Sequence, residues 1–401
     1  MAIVIAGASL AGLTAAEALR TEGFTGDVIV VDPSAELPPD RPPLSKQVLS
    51  GEWPPERAGH RLGDKLSELD LDLRLGVAAV SLDVPKLRVG LSDGSTIGAE
   101  GVVIATGSSP RRLPGPALQG VHVLRGMDDS LALRADLERR PERVVVIGAG
   151  FIGAEVAATC RSLGLEVTMI EVAPVPLGRV LPGEIGGFIA DLHSDNGVDV
   201  RLGVGVSRLI ADDAGVRVTG VELEDGSRID TEVVLVGIGV TLNTEWLVGS
   251  GLTLDNGVVC DETCLAAPGI VAAGDVASWP NPHFGQMMRI EQWENAIEQG
   301  GHVARRLLAE LGMGEPEPFA SVPWFWSDQY DLKIQMAGLP SATDEVVIPV
   351  GSVEDRRFVA MFKRGDRCSA VLGVSRPRHV MMVRMKMQES LDWDSAMSAL
   401  G

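Results

Sequence analysis

The 401-residue sequence predicts an α/β protein: two doubly wound βαβ regions, with a smaller α+β domain at the C-terminal end. Three observations predict it. An apolar strand, a glycine turn and a helix open the chain. The same succession returns near residue 144 with a fuller glycine pattern. After Pro323 the alternation of strand and helix signals gives way to strands.

The opening run Ile3-Val4-Ile5-Ala6 leads into Gly7-x-Ser9-x-x-Gly12 and an alanine-rich stretch through Leu19. That pattern reads as a buried strand, a tight turn and a helix. The turn gathers backbone N–H groups and the positive end of a helix at one place, which suits a pyrophosphate. Residues 28–31 form a second apolar strand ending in Asp32, whose carboxylate can accept from a ribose. Ser9 replaces the usual second glycine and is still small enough for close approach.

The second copy is more complete. Residues 144–147 precede Gly148-x-Gly150-x-x-Gly153, a helix, and a strand over 167–170 that ends in Glu171. One such glycine turn is a weak signal; two, each with a strand, a helix and a terminal acid at the right distance, are a strong one. Two Rossmann-like sites imply two dinucleotides, and a bound flavin with a diffusible nicotinamide is the economical pairing. Further apolar runs cover 102–106, ending Ala105-Thr106-Gly107, and 233–239, ending Gly237-Ile238-Gly239. A last one, Ile270-Val271-Ala272-Ala273-Gly274-Asp275, puts an aspartate at a strand end before a helix-prone segment. An acid there can bind sugar or ribityl hydroxyls, or simply favour a helix N-terminus.

Composition narrows the function. With 45% hydrophobic and 22% charged residues the chain is ordinarily globular, and a net charge of −20 argues against a nucleic-acid partner. The four cysteines, Cys160, Cys260, Cys264 and Cys368, are too scattered for a disulfide framework or an iron–sulfur centre; Cys260 and Cys264 form a single C-x3-C pair. The six histidines show no ligand spacing, so no protein-bound metal is expected. The first glycine turn lies too near the start for a signal peptide, and no apolar stretch is long enough for a membrane span, so a cytoplasmic protein without membrane contact is expected.

Longer motifs say more. Asp40-Arg41-Pro42-Pro43-Leu44-Ser45-Lys46, Ala105-Thr106-Gly107, the second glycine turn with Glu155, Ala273-Gly274-Asp275, and Trp324-Phe325-Trp326-Ser327-Asp328-Gln329 all match one group. On them the chain resembles the glutathione-reductase-like flavoproteins, and within these the ferredoxin reductases that serve bacterial cytochromes P450 and dioxygenases. The likeness runs to about Arg378. It implies a discontinuous FAD domain over 1–110 and 236–315, an NAD domain over 111–235 between its halves, and a C-terminal α+β domain over 316–401. It also implies FAD contacts at Ala11, Asp32, Lys46, Ala79, Arg125, Asp275 and Trp293. With these go the surrounding motif positions Gly7, Ser9, Gly12, Arg41, Thr106, Gly107 and Gly274. The NAD set would be Gly148, Gly150, Ile152, Gly153, Glu171, Arg179 and Gly239.

By the same resemblance, Lys46 and Glu155 are the catalytic pair, meeting at the flavin edge where the nicotinamide docks; read alone, they are a loop lysine and an acid near a helix start. Aromatics make up only 4% of the chain, yet Phe319, Trp324, Phe325, Trp326 and Tyr330 cluster. Trp326 is expected beside the flavin and Trp324 or Phe325 in the C-terminal core, with Trp293 a second aromatic at the flavin edge. Glu171 would accept from the adenosine ribose and repel a 2′-phosphate, which favours NADH, while Arg179 can rescue some NADPH use. No cysteine precedes Cys160, so electrons must leave for an external acceptor. The resemblance names a [2Fe–2S] ferredoxin as that acceptor; ferredoxins are commonly acidic, so Arg305, Arg306 and Lys333 are the candidate docking residues. An NADH oxidase, a quinone or rubredoxin reductase and a redox-sensing flavoprotein are the competing readings.

Overall fold

In the computed structural model, which describes residues 1–401, the chain gathers into two compact units. One holds residues 1–40, 59–109 and 241–323; the other holds 41–58, 110–240 and 324–401.

The first unit is built on a sheet in the order Leu265–Ala267, Ile270–Ala272, Gly101–Ile104, Ala2–Ala6, Asp27–Asp32, Asp72–Leu75. Its strands are parallel except for the edge pair Leu265–Ala267 and Ile270–Ala272. Ala2–Ala6 is central, and Ile3, Val4, Ile5 and Ala6 are fully buried, which is why it reads as an unbroken apolar run. The following strand, Asp27–Asp32, lies on one side of it and Gly101–Ile104 on the other. The carboxyl end of Ala2–Ala6 is therefore a switch point, where an open sheet leaves a crevice for a ligand. Helices Leu10–Thr21 and Trp293–Glu310 belong to this unit.

The second unit contains a parallel sheet in the order Val198–Leu202, Glu166–Glu171, Arg143–Ile147, Val233–Val236, Val121–His122. It also contains an antiparallel sheet in the order Trp324–Gln329, Leu332–Gly338, Arg367–Val374, Arg357–Arg364, Glu345–Ser352, followed by helices Pro377–Glu389 and Trp393–Ser398. Helix Gly183–Asp195 repeats its apolar side chains at helical spacing. It lays Ile185, Phe188, Ile189 and Leu192 against Ile334, Met336, Phe358 and Leu372 of that sheet.

Three strand ends differ from the sequence reading. Gly101–Ile104 stops before Ala105, because Ala105 to Gly107 turn away to meet Asn243. Val233–Val236 stops before Gly237, whose N–H still reaches the Ile147 carbonyl at 2.7 Å. Asp275 does not precede a helix: it sits in the single turn Gly274–Val276, followed by strand Ala277–Asn281. Pairing of that strand with Val258–Val259 and Gln286–Met288 overrides its helix propensity.

Candidate active site

The two glycine turns share one internal wiring, each within its own unit. Gly7 has φ of +112° and donates its N–H to the Val31 carbonyl at 2.8 Å; Gly148 has φ of +99° and donates to the Ile170 carbonyl at 2.8 Å. A Cβ on Gly7 would stand 2.2 Å from the Ala105 oxygen, and one on Gly148 would stand 2.3 Å from the Gly237 oxygen. Only glycine fits either place. The last glycines are as tight, since a Cβ on Gly12 or Gly153 would meet the Gly7 or Gly148 oxygen at 1.9 Å or 2.1 Å.

Ser9 and Gly150 are the N-caps of helices Leu10–Thr21 and Phe151–Ser162, and neither helix has a side-chain cap bond or an acid in its first turn. The first-turn N–H groups are left for an anion. Asp32 accepts the Ala8 and Ser34 N–H groups at 2.7 Å and 2.9 Å. Glu171 accepts those of Ala149 and Ala173 at 2.8 Å and 2.9 Å. Each carboxylate oxygen uses one lone pair on its own turn and keeps another for a ribose hydroxyl. Both turns fit a dinucleotide on this chain's own geometry.

Lys46 and Glu155 lie in the second unit and meet. Lys46 closes the turn Pro42–Ser45 and opens the short helix Gln47–Ser50. Leu44, Val48 and Leu49 are buried in one cluster with Leu133, Ala157 and Cys160, which anchors the segment on helix Phe151–Ser162. Two hydroxyls hold its backbone: Ser130 Oγ donates to the Leu44 carbonyl at 2.7 Å and Thr159 Oγ1 to the Ser45 carbonyl at 2.8 Å. Lys46 Nζ then stands 2.6 Å from Glu155 Oε2. Glu155 is 7% exposed, unlike the solvated acid that a helix N-terminus merely tolerates. Ser45 Oγ donates to its Oε2 at 2.5 Å and Ser327 Oγ to its Oε1 at 2.8 Å, the donors a buried carboxylate needs.

Other expected contact residues are placed within their units as follows. Ala11 is buried in the first turn of Leu10–Thr21. Ala79 opens strand Ala79–Asp83 two residues after Val77, whose N–H bonds the Asp32 carbonyl at 2.9 Å. Asp275 is nearly buried and accepts from Ser108 Oγ at 2.6 Å, while Gln299 Oε1 takes the Gly274 N–H at 2.9 Å. The Thr106 hydroxyl is committed to the Asn243 carbonyl at 2.7 Å, and Asn243 also donates to the Thr106 carbonyl and, from its N–H, to that of Gly107.

Trp293 begins helix Trp293–Glu310 and donates from Nε1 to Asp40 at 2.6 Å. Beside it the N-cap, Gln292, has a buried Oε1 with no bonding partner, an acceptor that fits the imide N–H of a flavin. Arg41 and Arg125 are half-buried, and the Arg125 N–H bonds Asp129 at 2.9 Å. Ile152 is exposed in the first turn of Phe151–Ser162, and Arg179 and Gly239 are exposed on their loops.

The aromatic cluster divides. Phe319 packs in the first unit with Trp279 and His302, so it is no part of the C-terminal core. In the second unit Trp324 and Trp326 share one face of strand Trp324–Gln329 with ring centroids 5.6 Å apart, while Phe325, on the other face, meets Phe151 at 4.3 Å. Of the expected docking cations, Arg306 is withdrawn: it is 8% exposed and bound to Thr263 Oγ1 at 2.7 Å and Glu310 at 2.8 Å. Arg305 faces Glu22 at 3.7 Å and Lys333 pairs with Asp328 at 2.6 Å, and both stay partly exposed.

Sequence reasoning missed Ser45, Ser327, Asn243 and Gln299 as working parts. Ser45 and Ser327 stand inside quoted motifs, but their partner Glu155 is 110 and 172 residues away in the chain, and no periodicity connects such positions. All four cysteines are buried and unpaired. Burial pushes the thiols of Cys160, Cys260 and Cys368 up to about 12, and that of Cys264 up as well, which keeps them unreactive.

Residues 1–300 match the profile of the pyridine nucleotide-disulphide oxidoreductases, and residues 324–399 match that of the reductase C-terminal domain. The chain is 39% identical over 388 residues to rhodocoxin reductase of Rhodococcus erythropolis, covering 96% of this chain and 88% of that one. Its fold matches the reductase in a covalent putidaredoxin reductase–putidaredoxin complex with a TM-score of 0.91 at 33% identity, over 97% of this chain and 93% of the other. It matches the ferredoxin reductase for the CYP199A2 system of Rhodopseudomonas palustris with a TM-score of 0.90 at 35% identity, over the whole of both chains. No helix is long and apolar enough to cross a membrane.

Proposed function

Because the chain belongs to the pyridine nucleotide-disulphide oxidoreductase family and ends in a reductase C-terminal domain, we propose that it passes electrons from NADH through bound FAD to a [2Fe–2S] ferredoxin, which serves a cytochrome P450 or related oxygenase. One observation carries this beyond the family name. The chain has two dinucleotide turns but no cysteine before Cys160, and all four of its cysteines are buried and unpaired, so no redox disulfide beside the first turn can take the electrons. They leave for an acceptor outside this chain. FAD, when bound, takes two electrons as hydride and releases them one at a time.

The residues have these roles in the proposal. The turn from Gly7 to Gly12 and Asp32 hold the FAD pyrophosphate and adenosine ribose; Asp275 and Gly274 hold the ribityl chain; Gln292 and Trp293 border the flavin ring. The turn from Gly148 to Gly153 holds the NADH pyrophosphate, with Glu171 on the ribose. Lys46, held in place by Glu155, would present its ammonium to the negative charge that grows as hydride arrives. Trp326 is the proposed aromatic neighbour of the flavin. Residues 1–110 with 236–315, residues 111–235 and residues 316–401 are the FAD, NAD and C-terminal domains, and the cytoplasm is the site of action.

The test is a steady-state assay with NADH, a [2Fe–2S] ferredoxin and cytochrome c as reporter. Reduction that depends on ferredoxin is expected. Equal turnover with oxygen or quinone alone would replace the ferredoxin by those acceptors.

A further inference from the structure

On the reading of Lys46 and Glu155 given above, we infer that Tyr330, His193, Gln329 and Ser327 form a one-way donor chain that positions the Glu155 carboxylate against Lys46. Helix Phe151–Ser162 and strand Trp324–Gln329 meet along matching repeats. Phe151 faces Phe325 with ring centroids at 4.3 Å, and one helical turn on, Glu155 faces Ser327 at 2.8 Å. Four residues of helix and two of strand each advance by roughly 6–7 Å, so the contacts stay in step.

Gln329 is the next residue on that strand face. It is fully buried and donates from Nε2 to Ser327 Oγ at 3.2 Å. With a donor behind it, the Ser327 hydroxyl has its own hydrogen free for Glu155 Oε1. Behind Gln329 stands His193, fully buried in the last turn of helix Gly183–Asp195, with Nδ1 2.8 Å from the Tyr330 hydroxyl.

Two buried atoms are left over, Gln329 Oε1 and His193 Nε2. They are complementary: an amide oxygen accepts, and Nε2 donates when Nδ1 accepts from Tyr330. The Gln329 amide bears on the His193 imidazole, and burial keeps that ring neutral by pushing its pKa down to about 4. We therefore assign His193 the Nε2–H tautomer. Pairing His193 Nε2 with Gln329 Oε1, the one link not already formed, makes the whole series point one way, from Tyr330 through His193, Gln329 and Ser327 to Glu155. Ser327 takes Oε1, which leaves Oε2 for Ser45 and Lys46. The reductase C-terminal segment thus supplies positioning residues for hydride transfer, in addition to its aromatic face.

The test uses the FAD-loaded protein. NMR of 15N-labelled histidine reads the His193 tautomer at neutral pH. Anaerobic stopped flow reads flavin reduction by NADH in the wild type and in S327A, S327T, Q329L, Y330F and E155Q. The wild type should carry its proton on Nε2, and Y330F should shift that signal. S327A should lower the limiting reduction rate about tenfold with unchanged NADH affinity, and S327T should restore it.

An Nδ1–H tautomer in the wild type overturns the inference, because the chain would then point away from Glu155. So does S327A at the wild-type rate when E155Q is slow. E155Q as fast as wild type removes the role of the Lys46–Glu155 pair itself, and the inference with it. If S327A does not fold, Y330F decides: a changed tautomer with slower reduction supports the chain, and a changed tautomer at the wild-type rate overturns it.

Discussion

Glu155→Gln keeps the shape of a buried side chain and removes the charge that faces Lys46. Nζ and Oε2 are 2.6 Å apart, with side-chain exposures of 12% and 8%. An ammonium left unpaired in so dry a place costs about 3–5 kcal/mol. Lys46 keeps one partner, Ser45 Oγ at 3.2 Å, so the lower end of that range, about 3 kcal/mol, is expected. Lys46→Met should cost a similar amount by stranding the carboxylate. The double variant should be more stable than the two losses combined, by about 2 kcal/mol or more of coupling. Urea unfolding of the FAD-loaded protein measures all three. Single losses below about 1 kcal/mol that simply add would refute a buried ion pair.

Gly148→Ala puts a Cβ 2.3 Å from the Gly237 oxygen at φ of +99°, so NADH affinity should fall at least about tenfold while FAD stays bound; unchanged affinity in an NADH titration would contradict the second turn as its site. Glu171→Ser removes the ribose acceptor and the charge that repels a 2′-phosphate, so the ratio of kcat/KM for NADPH to that for NADH should rise about tenfold; a constant ratio would move specificity elsewhere. His193 is fully buried and, chiefly through burial, has its pKa lowered from 6.5 to about 4. The unfolded chain therefore takes up the proton first. Its contribution to stability is complete above about pH 6.5 and is lost as pH falls toward 4, by up to about 1.4 kcal/mol per pH unit. His60 and His302, also lowered to about 4 by burial, act in the same direction. A Tm that stays level from pH 7 to pH 5 would contradict this.

The parts of the fold readable in the sequence are those fixed by local rules. A buried parallel strand must be apolar throughout, as Ile3 to Ala6 and Val144 to Ile147 are, and a turn with φ of +112° or +99° must be glycine. The acids Asp32 and Glu171 were visible for the same reason, because each stands at a strand end next to its turn. Contacts across long stretches of chain were not. Nothing local to Ser327 indicates a carboxylate, and nothing local to Arg306 shows that Thr263, 43 residues earlier, will cover it; only Glu310, one helical turn on, lies within local reach. Phe319 lies close to Trp324 in sequence yet packs with Trp279, because its backbone N–H is held by the Glu262 carbonyl at 2.8 Å. The segment after Asp275 was misjudged for a related reason: ladder partners, and not propensity, make Ala277–Asn281 a strand.

The most direct test of the account is a single turnover. The protein is reduced anaerobically with one equivalent of NADH and mixed in a stopped-flow cell with excess oxidised [2Fe–2S] ferredoxin, with flavin and cluster absorbance followed together. The account predicts fast return of the yellow flavin with two clusters reduced for each flavin. A flavin that stays bleached with ferredoxin, and recovers only when oxygen or a quinone is admitted, would contradict it.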